Sequence, residues 1–221
     1  MGSLETFPED WDTGLAIVAH PDDLEYGAAS AVKRWTDQGK AVSYLLLTKG
    51  EAGIQGLDPT QTAAIREQEE YRSAAIVGVD DVTFLDFPDS RLEDTAELQG
   101  QIESVIGAKQ PELLLTFNHH PTWPGGSPNS TDHTETGKAI IAAMQSYDIR
   151  YWAIWGSPSP THAVDVAATF EAGVQSLEQH EQYLAGLNPA PVPREMLAKD
   201  AHYIGQKVGL ELAVGFELHI F

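Results

Sequence analysis

Short, strongly apolar segments that alternate with helical patterns constrain the fold of this chain more than any other feature. Residues 14–19 (GLAIVA), 41–47 (AVSYLLL) and 112–117 (ELLLTF) are such segments. Runs of this length are typical of strands buried on both faces. Shorter strands are predicted at 82–85 and 149–154, and helices at 25–38, 60–77, 95–109 and 132–146. This alternation predicts an α/β fold with a mostly parallel sheet and helices on both faces.

The pattern changes after Pro160. We expect a short strand, a helix at 167–186, a Pro-rich turn, a further helix and a terminal strand at 210–221. The sequence has no internal repeat, no low-complexity tract and no clear linker. We therefore predict a single domain over residues 1–221, with a C-terminal helix and strand extension.

Charge and composition exclude several classes of partner. The chain has 13 basic and 33 acidic residues, a net charge of −20, and no cysteine. Such a surface repels nucleic acid and anionic lipid, so the expected partner is a small molecule, while homo-oligomerisation stays open. No apolar run approaches the ~20 residues of a membrane span. Residues 1–11 are polar and acidic and do not resemble a secretory signal, so a cytoplasmic location is expected.

Polar side chains follow the predicted strands, where ligands bind in open α/β sheets. His20, Asp22 and Asp23 follow the first strand, and Asp132 and His133 come after the fourth strand and a long loop. No G-x-G-x-x-G motif follows the first strand, which argues against a dinucleotide enzyme or a nucleotide-binding regulator. Without cysteine, a metal site here must use His, Asp or Glu.

A metal site is the chemistry that these residues favour. His20 and Asp23 can reach one cation from a tight turn, and His133 at the start of another helix can complete the set. Three protein ligands with an open position are typical of catalytic zinc, although Fe(II) and Co(II) suit the same ligands. Asp22 would then take a proton from the attacking water. The alternative is that Asp22 or Asp23 only caps the next helix.

The stretch His20-Pro21-Asp22-Asp23-Leu24-Glu25, directly after an apolar strand, resembles the opening motif of the PIG-L (LmbE-like) N-acetylglucosaminyl deacetylases. Other blocks follow in the order of that family: residues 48–53 (TKGEAG), Arg66 with Glu69, residues 87–89 (FPD), Asp132-His133 with Gly137, residues 164–166 (VDV) and His180. The similarity spans roughly residues 14–221.

The resemblance implies a Rossmann-like three-layer α/β/α fold, a zinc ion, and hydrolysis of an N-acyl group, usually acetyl, from an amino sugar or its conjugate. Carried over by position, it implies zinc ligands at His20, Asp23 and His133 and a general base at Asp22. It further implies that Asp132 orients the charged groups of the site, and that Arg66 and Asp89 hold the sugar or its aglycone.

One departure from the family pattern concerns a catalytic group. Ser130 stands where the family often has a histidine that polarises the acyl oxygen or acts as an acid. We predict that His219 replaces it, because the terminal strand could end beside the ligand edge of the sheet. His120 is the second candidate, since it lies in the loop that leads to His133. Alternatively, zinc alone polarises the acyl oxygen.

The predicted function is therefore that of a zinc-dependent N-deacetylase acting on an acylated amino sugar. Two related activities are alternatives: an amidase of sugar-thiol (mycothiol-type) conjugates and a natural-product deacetylase. A third alternative, from a different class, is a non-catalytic domain of the same fold that binds a small ligand.

Overall fold

A sheet of eight strands forms the centre of the molecule, and the computed structural model describes residues 4–221. The strands are β1 (Glu5–Thr6), β2 (Thr13–Val18), β3 (Ala41–Leu46), β4 (Asp81–Phe84), β5 (Leu113–Phe117), β6 (Tyr151–Trp155), β7 (His162–Asp165) and β8 (Ala213–Ile220). The helices are α1 (Ala29–Asp37), α2 (Pro59–Ile76), α3 (Ala96–Lys109), α4 (Thr131–Ala143), α5 (Phe170–Glu178), α6 (Glu181–Gly186) and α7 (Pro193–Val208).

The strands are arranged in the order β1-β7-β8-β6-β5-β2-β3-β4. Strands β2 to β6 are parallel to their neighbours among themselves, whereas β8 runs antiparallel to both β6 and β7. This confirms the predicted α/β class with a mostly parallel sheet. The carboxyl ends of β2, β5 and β6 meet at one edge, so the segments that follow these strands converge there.

Alternation along β2 shows how the two cores form. Ala16 and Val18 pack into a cluster with side chains of α1, α5 and α7, whereas Leu15 and Ile17 pack into a second cluster with α3 and α4. Successive strand residues point to opposite faces, so an uninterrupted apolar strand requires helices on both. The three-layer α/β/α arrangement expected from the sequence is thereby observed.

Two predicted helices differ from the structure. The helix predicted at 25–38 begins only at Ala29, because residues 21–28 form successive turns next to the edge where the strands end. The helix predicted at 167–186 is divided into α5 and α6 at His180, whose backbone leaves the helical region with ψ of 48°. The side chain of His180 is fully buried at this break.

The single domain predicted over residues 1–221 stays a prediction. Residues 1–3, which are part of the polar N-terminal segment 1–11, lie outside the described residues. Within residues 4–221, the helices all lack the combination of length and apolar character needed to cross a bilayer.

Candidate active site

The turn after β2 separates two adjacent carboxylates. Asp22 has a positive φ of 94°, a conformation that aspartate tolerates better than most residues. Its backbone N–H donates to Glu70 Oε2 at 3.3 Å, while the carboxylate of Asp23 turns back to accept from the backbone N–H of His20 at 2.9 Å. The two aspartates, both at 4% exposure, consequently face different partners.

His20, Asp23 and His133 converge on one point. His133 Nε2 lies 3.2 Å from Asp23 Oδ1, and His20 Nδ1 lies 3.7 Å from Asp23 Oδ2. One ligand atom from each of the three residues lies within 4.8 Å of the others. Two imidazole nitrogens and a carboxylate oxygen at these separations fit a divalent transition metal with room for a further ligand.

Outer hydrogen bonds determine which nitrogen of each ring faces that point. His20 Nε2 lies 3.0 Å from Asp132 Oδ2 and 3.1 Å from Asp89 Oδ1. His133 Nδ1 lies 2.9 Å from Asn129 Oδ1. If each of these nitrogens carries the proton and donates it, His20 Nδ1 and His133 Nε2 keep their lone pairs for a metal. Asn129 was not anticipated from the sequence, although it lies one turn before His133.

Asp132 and Asp89 lie behind His20 and are held by backbone donors. Asp132 accepts from the N–H of Ser90 at 2.7 Å and of Leu92 at 3.2 Å, and Asp89 accepts from Ala52 at 2.8 Å. His20, Asp89 and Asp132 are close enough to form an alternative metal-binding group. The backbone donors favour an orienting role instead, because they already occupy these carboxylates. The orienting role of Asp132 stays a prediction, and Asp89 lies on the wall of the pocket.

The electrostatics of this cluster favour positive charge. Burial disfavours a charged ring, but hydrogen bonds to Asp132, Asp23 and Asp89 outweigh it and raise the pKa of His20 well above its usual value. Burial likewise disfavours a charged Asp23, but the neighbouring His133 and His20 hold its pKa well below its usual range. Both shifts describe a site that stabilises a cation among carboxylates.

Asp22 faces Arg66 instead. Its Oδ1 lies 3.2 Å from Arg66 Nη2, whereas Oδ2 is buried with no hydrogen-bond partner among residues 4–221. Burial raises the pKa of Asp22 to about 6, against the opposing effect of the guanidinium. A carboxylate with a free oxygen and a pKa near neutrality suits a general base.

Arg66 passes through a glycine-containing loop that follows β3. A Cβ at Gly50 would lie 2.1 Å from Arg66 Nη1, and one at Gly53 would lie 2.5 Å from the same atom. The guanidinium donates to the carbonyls of Pro21 and Gly50, and it stacks 4.1 Å over the ring of Tyr183. Arg66 was expected to hold the substrate; the structure shows it bordering the pocket but bonded to the turn that carries Asp22.

An aromatic pocket of about 490 Å³ leads to the cluster. Its wall includes five aromatic side chains, those of Tyr26, Phe117, Trp123, Trp155 and Tyr183. Trp155 Nε1 donates to the carbonyl of Asp23 at 2.7 Å, and a Cβ at Gly27 would lie 2.4 Å from its ring. Sequence reasoning missed Trp155, which is the first residue after the strand predicted at 149–154.

His219 and His120 both lie outside the pocket lining. Because β8 is antiparallel to β6, His219 pairs with Trp152 near the amino end of β6, so β8 starts at the ligand edge and ends away from it. His219 Nε2 lies 3.1 Å from Glu217 Oε1, and His120 Nε2 lies 2.7 Å from Glu217 Oε2. Neither histidine is part of the pocket lining, so replacement of the family histidine by His219 or His120 stays a prediction that these contacts do not support. Ser130 itself caps α4 by accepting from the N–H of Asp132 at 3.2 Å.

A second buried cluster packs against the turn that carries Asp22. Glu25, Glu70 and His180 are each at most 1% exposed, and His180 Nε2 lies 3.9 Å and 3.8 Å from the two carboxylates. Burial raises the pKa of Glu25 to about 7 and that of Glu70 well above its usual value, and it lowers the pKa of His180 to about 3. These three residues therefore form a largely uncharged buried group next to Asp22.

Comparison with known proteins agrees with this geometry. The family described as PIG-L, GlcNAc-PI de-N-acetylase, matches residues 15–144, more than half of the chain. The diacetylchitobiose deacetylase of Thermococcus kodakarensis is 29% identical over 186 residues, 76% of this chain and 68% of that protein. A probable N-acetyl-alpha-D-glucosaminyl L-malate deacetylase 2 of Bacillus anthracis is 31% identical over 137 residues, 59% of this chain and 58% of that protein, so less than two thirds of its length is matched.

A solved structure shows the same fold over nearly the whole chain. The N,N'-diacetylchitobiose deacetylase of Pyrococcus horikoshii has a TM-score of 0.81 at 24% identity, covering 96% of this chain and 85% of that one. Together with the sequence relatives, this confirms the resemblance, the fold class and the N-deacetylase class of enzyme expected from the sequence. The chain belongs to the PIG-L (GlcNAc-PI de-N-acetylase) family.

Proposed function

We propose that the protein is a zinc-dependent hydrolase that removes the acetyl group from an N-acetylated amino sugar within a small conjugate. The observation that carries this proposal is the convergence of His20, Asp23 and His133 in an aromatic pocket that is also lined by Asp22, whose Oδ2 is unpaired within residues 4–221. The volume of the pocket lies in the range of small-molecule sites, about 300–1,000 Å³.

The donor set fits zinc by its chemistry. His20 Nδ1, His133 Nε2 and a carboxylate oxygen of Asp23 would hold the ion, and the outer partners Asp132 and Asn129 would fix the two rings. When bound, zinc would polarise the acyl oxygen and acidify the attacking water. Fe(II) or Co(II) would suit the same donors.

Asp22 would move the proton. Its Oδ2 has no competing hydrogen bond among the described residues, while Arg66 holds Oδ1 and so fixes the plane of the carboxylate. A proton taken from water onto Oδ2 can afterwards be delivered to the leaving amine, because an amine is a stronger base than a carboxylate whose pKa is about 6.

The pocket walls suit an amino sugar. Four aromatic side chains in the wall have apolar ring faces and a polar group at the ring edge: Tyr26, Trp123, Trp155 and Tyr183. Such rings suit a sugar, which is apolar on its faces and polar at its rim. The names of the sequence relatives refer to acetylated glucosamine linked to a second sugar or to malate. An N-acetylglucosamine unit bearing an aglycone is therefore the proposed substrate class.

The test is release of free amine from N-acetylglucosamine and N,N'-diacetylchitobiose by the purified protein, with metal content measured in the same sample. Activity should disappear with a chelator and return with zinc, and His20→Ala should lose both metal and turnover. His202→Ala, at an exposed position away from the pocket, is the control. Metal-loaded protein that releases no amine from any N-acetylated sugar would refute the proposal.

A further inference from the structure

We propose that the outer part of the pocket selects the substrate by charge: Asp200 favours a conjugate whose second unit carries a free amine, and the pocket rejects a conjugate whose second unit is anionic. The inference rests on the proposed function and deepens it, since it concerns the aglycone of the same substrate. It assigns a specificity role to a residue outside every motif discussed above.

The position of Asp200 supports this role. Met196 and Asp200 lie one turn apart on α7 and line the same pocket as His20 and His133. Asp200 is exposed, whereas Asp22 and Asp23 at the other end are buried. The pocket thus runs from the buried metal-binding cluster to a mouth at α7. A sugar with its acetyl group at the cluster would direct its aglycone toward that mouth.

Negatively charged side chains outnumber positively charged ones in the pocket lining. Four carboxylates line it, those of Asp22, Asp23, Asp89 and Asp200. Among the described residues, Arg66 is the only lysine or arginine in the lining. One divalent ion at the cluster would still leave more negative than positive charge, and the net charge of −20 of the whole chain adds to the same field.

Arg66 offers little to an anionic ligand, because its side chain is only 3% exposed and its one unpaired nitrogen, Nε, is fully buried. Its guanidinium contacts Asp22 and the carbonyls of Pro21 and Gly50, and its flat face lies against Tyr183. A carboxylate or phosphate on the aglycone would therefore lose water next to Asp200 without gaining a cation. Specificity of this kind depends on the unpaired charge as much as on any attraction.

The carboxylate of Asp200, by contrast, is available. It makes no hydrogen bond or ion pair within residues 4–221, and partial burial raises its pKa. The neighbouring Lys199 is exposed and does not line the pocket. An ammonium group is the partner that this carboxylate lacks, and the amine of a glucosamine unit supplies one.

The experiment compares kcat/KM for three conjugates of N-acetylglucosamine: one linked to glucosamine, one linked to N-acetylglucosamine, and one linked to malate. The wild type should prefer the first and second over the malate conjugate. Asp200→Asn should lower kcat/KM for the amine conjugate by about three- to five-fold, the size expected of one exposed ion pair. It should raise kcat/KM for the malate conjugate and leave the neutral one unchanged, and Asp200→Lys should enlarge both shifts.

Glu195→Gln, which removes another carboxylate of α7 outside the pocket lining, is the matched control and should change none of the three. The preference against malate should also weaken at high salt, because screening reduces interactions of exposed charges. Equal efficiency of the wild type on the neutral and malate conjugates would overturn the inference. So would an Asp200→Asn variant that shifts all three conjugates alike, or none. Inactivity on all three would instead refute the proposed function.

Discussion

The backbone N–H of Asp22 donates to the buried carboxylate of Glu70 at 3.3 Å, and this contact helps to hold the positive φ of the proposed base. An unfavourable φ of this kind persists only where the surroundings enforce it. Glu70 lies on α2, so a helix distant in sequence determines the direction in which Asp22 points.

Replacement of Glu70 should therefore reduce turnover without removing the metal. We expect Glu70→Ala to lower kcat by about 10- to 100-fold, the range typical of residues that orient a site from behind. Glu70→Gln keeps an oxygen acceptor and should recover much of that loss, which a merely space-filling role would not explain. Zinc content and kcat are measured together, with Glu67→Gln on the same helix as the control. Zinc lost in parallel with turnover would argue against a positioning role.

Asp22 itself should separate binding of metal from catalysis. Asp22→Asn keeps the size of the side chain but cannot accept the proton, so kcat should fall by about 10²- to 10⁴-fold. The metal content should stay near that of the wild type, because Asp22 belongs to none of the candidate metal-binding groups within residues 4–221 and its Oδ1 pairs with Arg66. Near wild-type turnover in this variant would show that another group is the base.

The parallel sheet could be predicted because a short apolar run in the sequence is enough to indicate a buried strand. The edge at which a ligand binds could then be predicted from the carboxyl ends of those strands. The motif that begins at His20 follows one strand, and Asp132 and His133 follow another after a loop. The parallel topology therefore predicts that these side chains lie close together at one edge of the sheet. The position of His219 could not be predicted in the same way. Whether a last strand runs parallel or antiparallel depends on the connection before it and on its neighbours, and the apolar pattern of β8 is the same in both directions.

Contacts that depend on side-chain direction were also beyond the sequence. Trp155 reaches Asp23, and Glu70 reaches Asp22, through packing between segments that are far apart in the chain. Arg66 is a further example: the sequence predicted that it lies on a helix, but it did not predict that the side chain packs against Gly50 in a separate loop.

The roles of His219 and His120, which lie outside the pocket lining, can be tested directly. Since both rings contact Glu217 outside the pocket, His219→Ala and His120→Ala should each keep kcat/KM within about two- to three-fold of wild type, as expected for changes away from a site. Metal content should be unchanged in both. A loss of turnover with zinc retained in either variant would instead support that histidine as the replacement for the family histidine.

Gly27 should be required for the position of Trp155. A methyl group at Gly27 would lie 2.4 Å from the indole ring, so Gly27→Ala must displace the ring and break its hydrogen bond to Asp23. Overpacking of this kind costs about 1–3 kcal/mol of unfolding free energy. Trp155→Phe removes only the N–H and keeps most of the packing, so it should cost less. Chemical denaturation and KM of the two variants are compared, and a Gly27→Ala variant as stable as wild type would contradict this packing.

The loop after β5 should contribute to acid sensitivity through His119. Its ring lies between His120 and Trp152, at centroid distances of 4.9 and 5.2 Å, and its buried Nδ1 has no partner among the described residues. Burial lowers the pKa of His119 to about 4, and the adjacent His120 adds to this shift, whereas Glu217 opposes it. The unfolded chain, with a histidine pKa of about 6.5, therefore binds more protons than the folded one between these two values.

Unfolding free energy should then fall as the pH drops from about 6.5 to about 4, with a slope from this residue of at most about 1.4 kcal/mol per pH unit. His119→Phe keeps a ring against Trp152 but cannot titrate, so its stability should decline less steeply over the same window. His202→Phe, at an exposed site, controls for the loss of an imidazole. Urea denaturation at several pH values measures the slopes; if wild type and His119→Phe give parallel curves, the ring of His119 is not a source of the acid sensitivity.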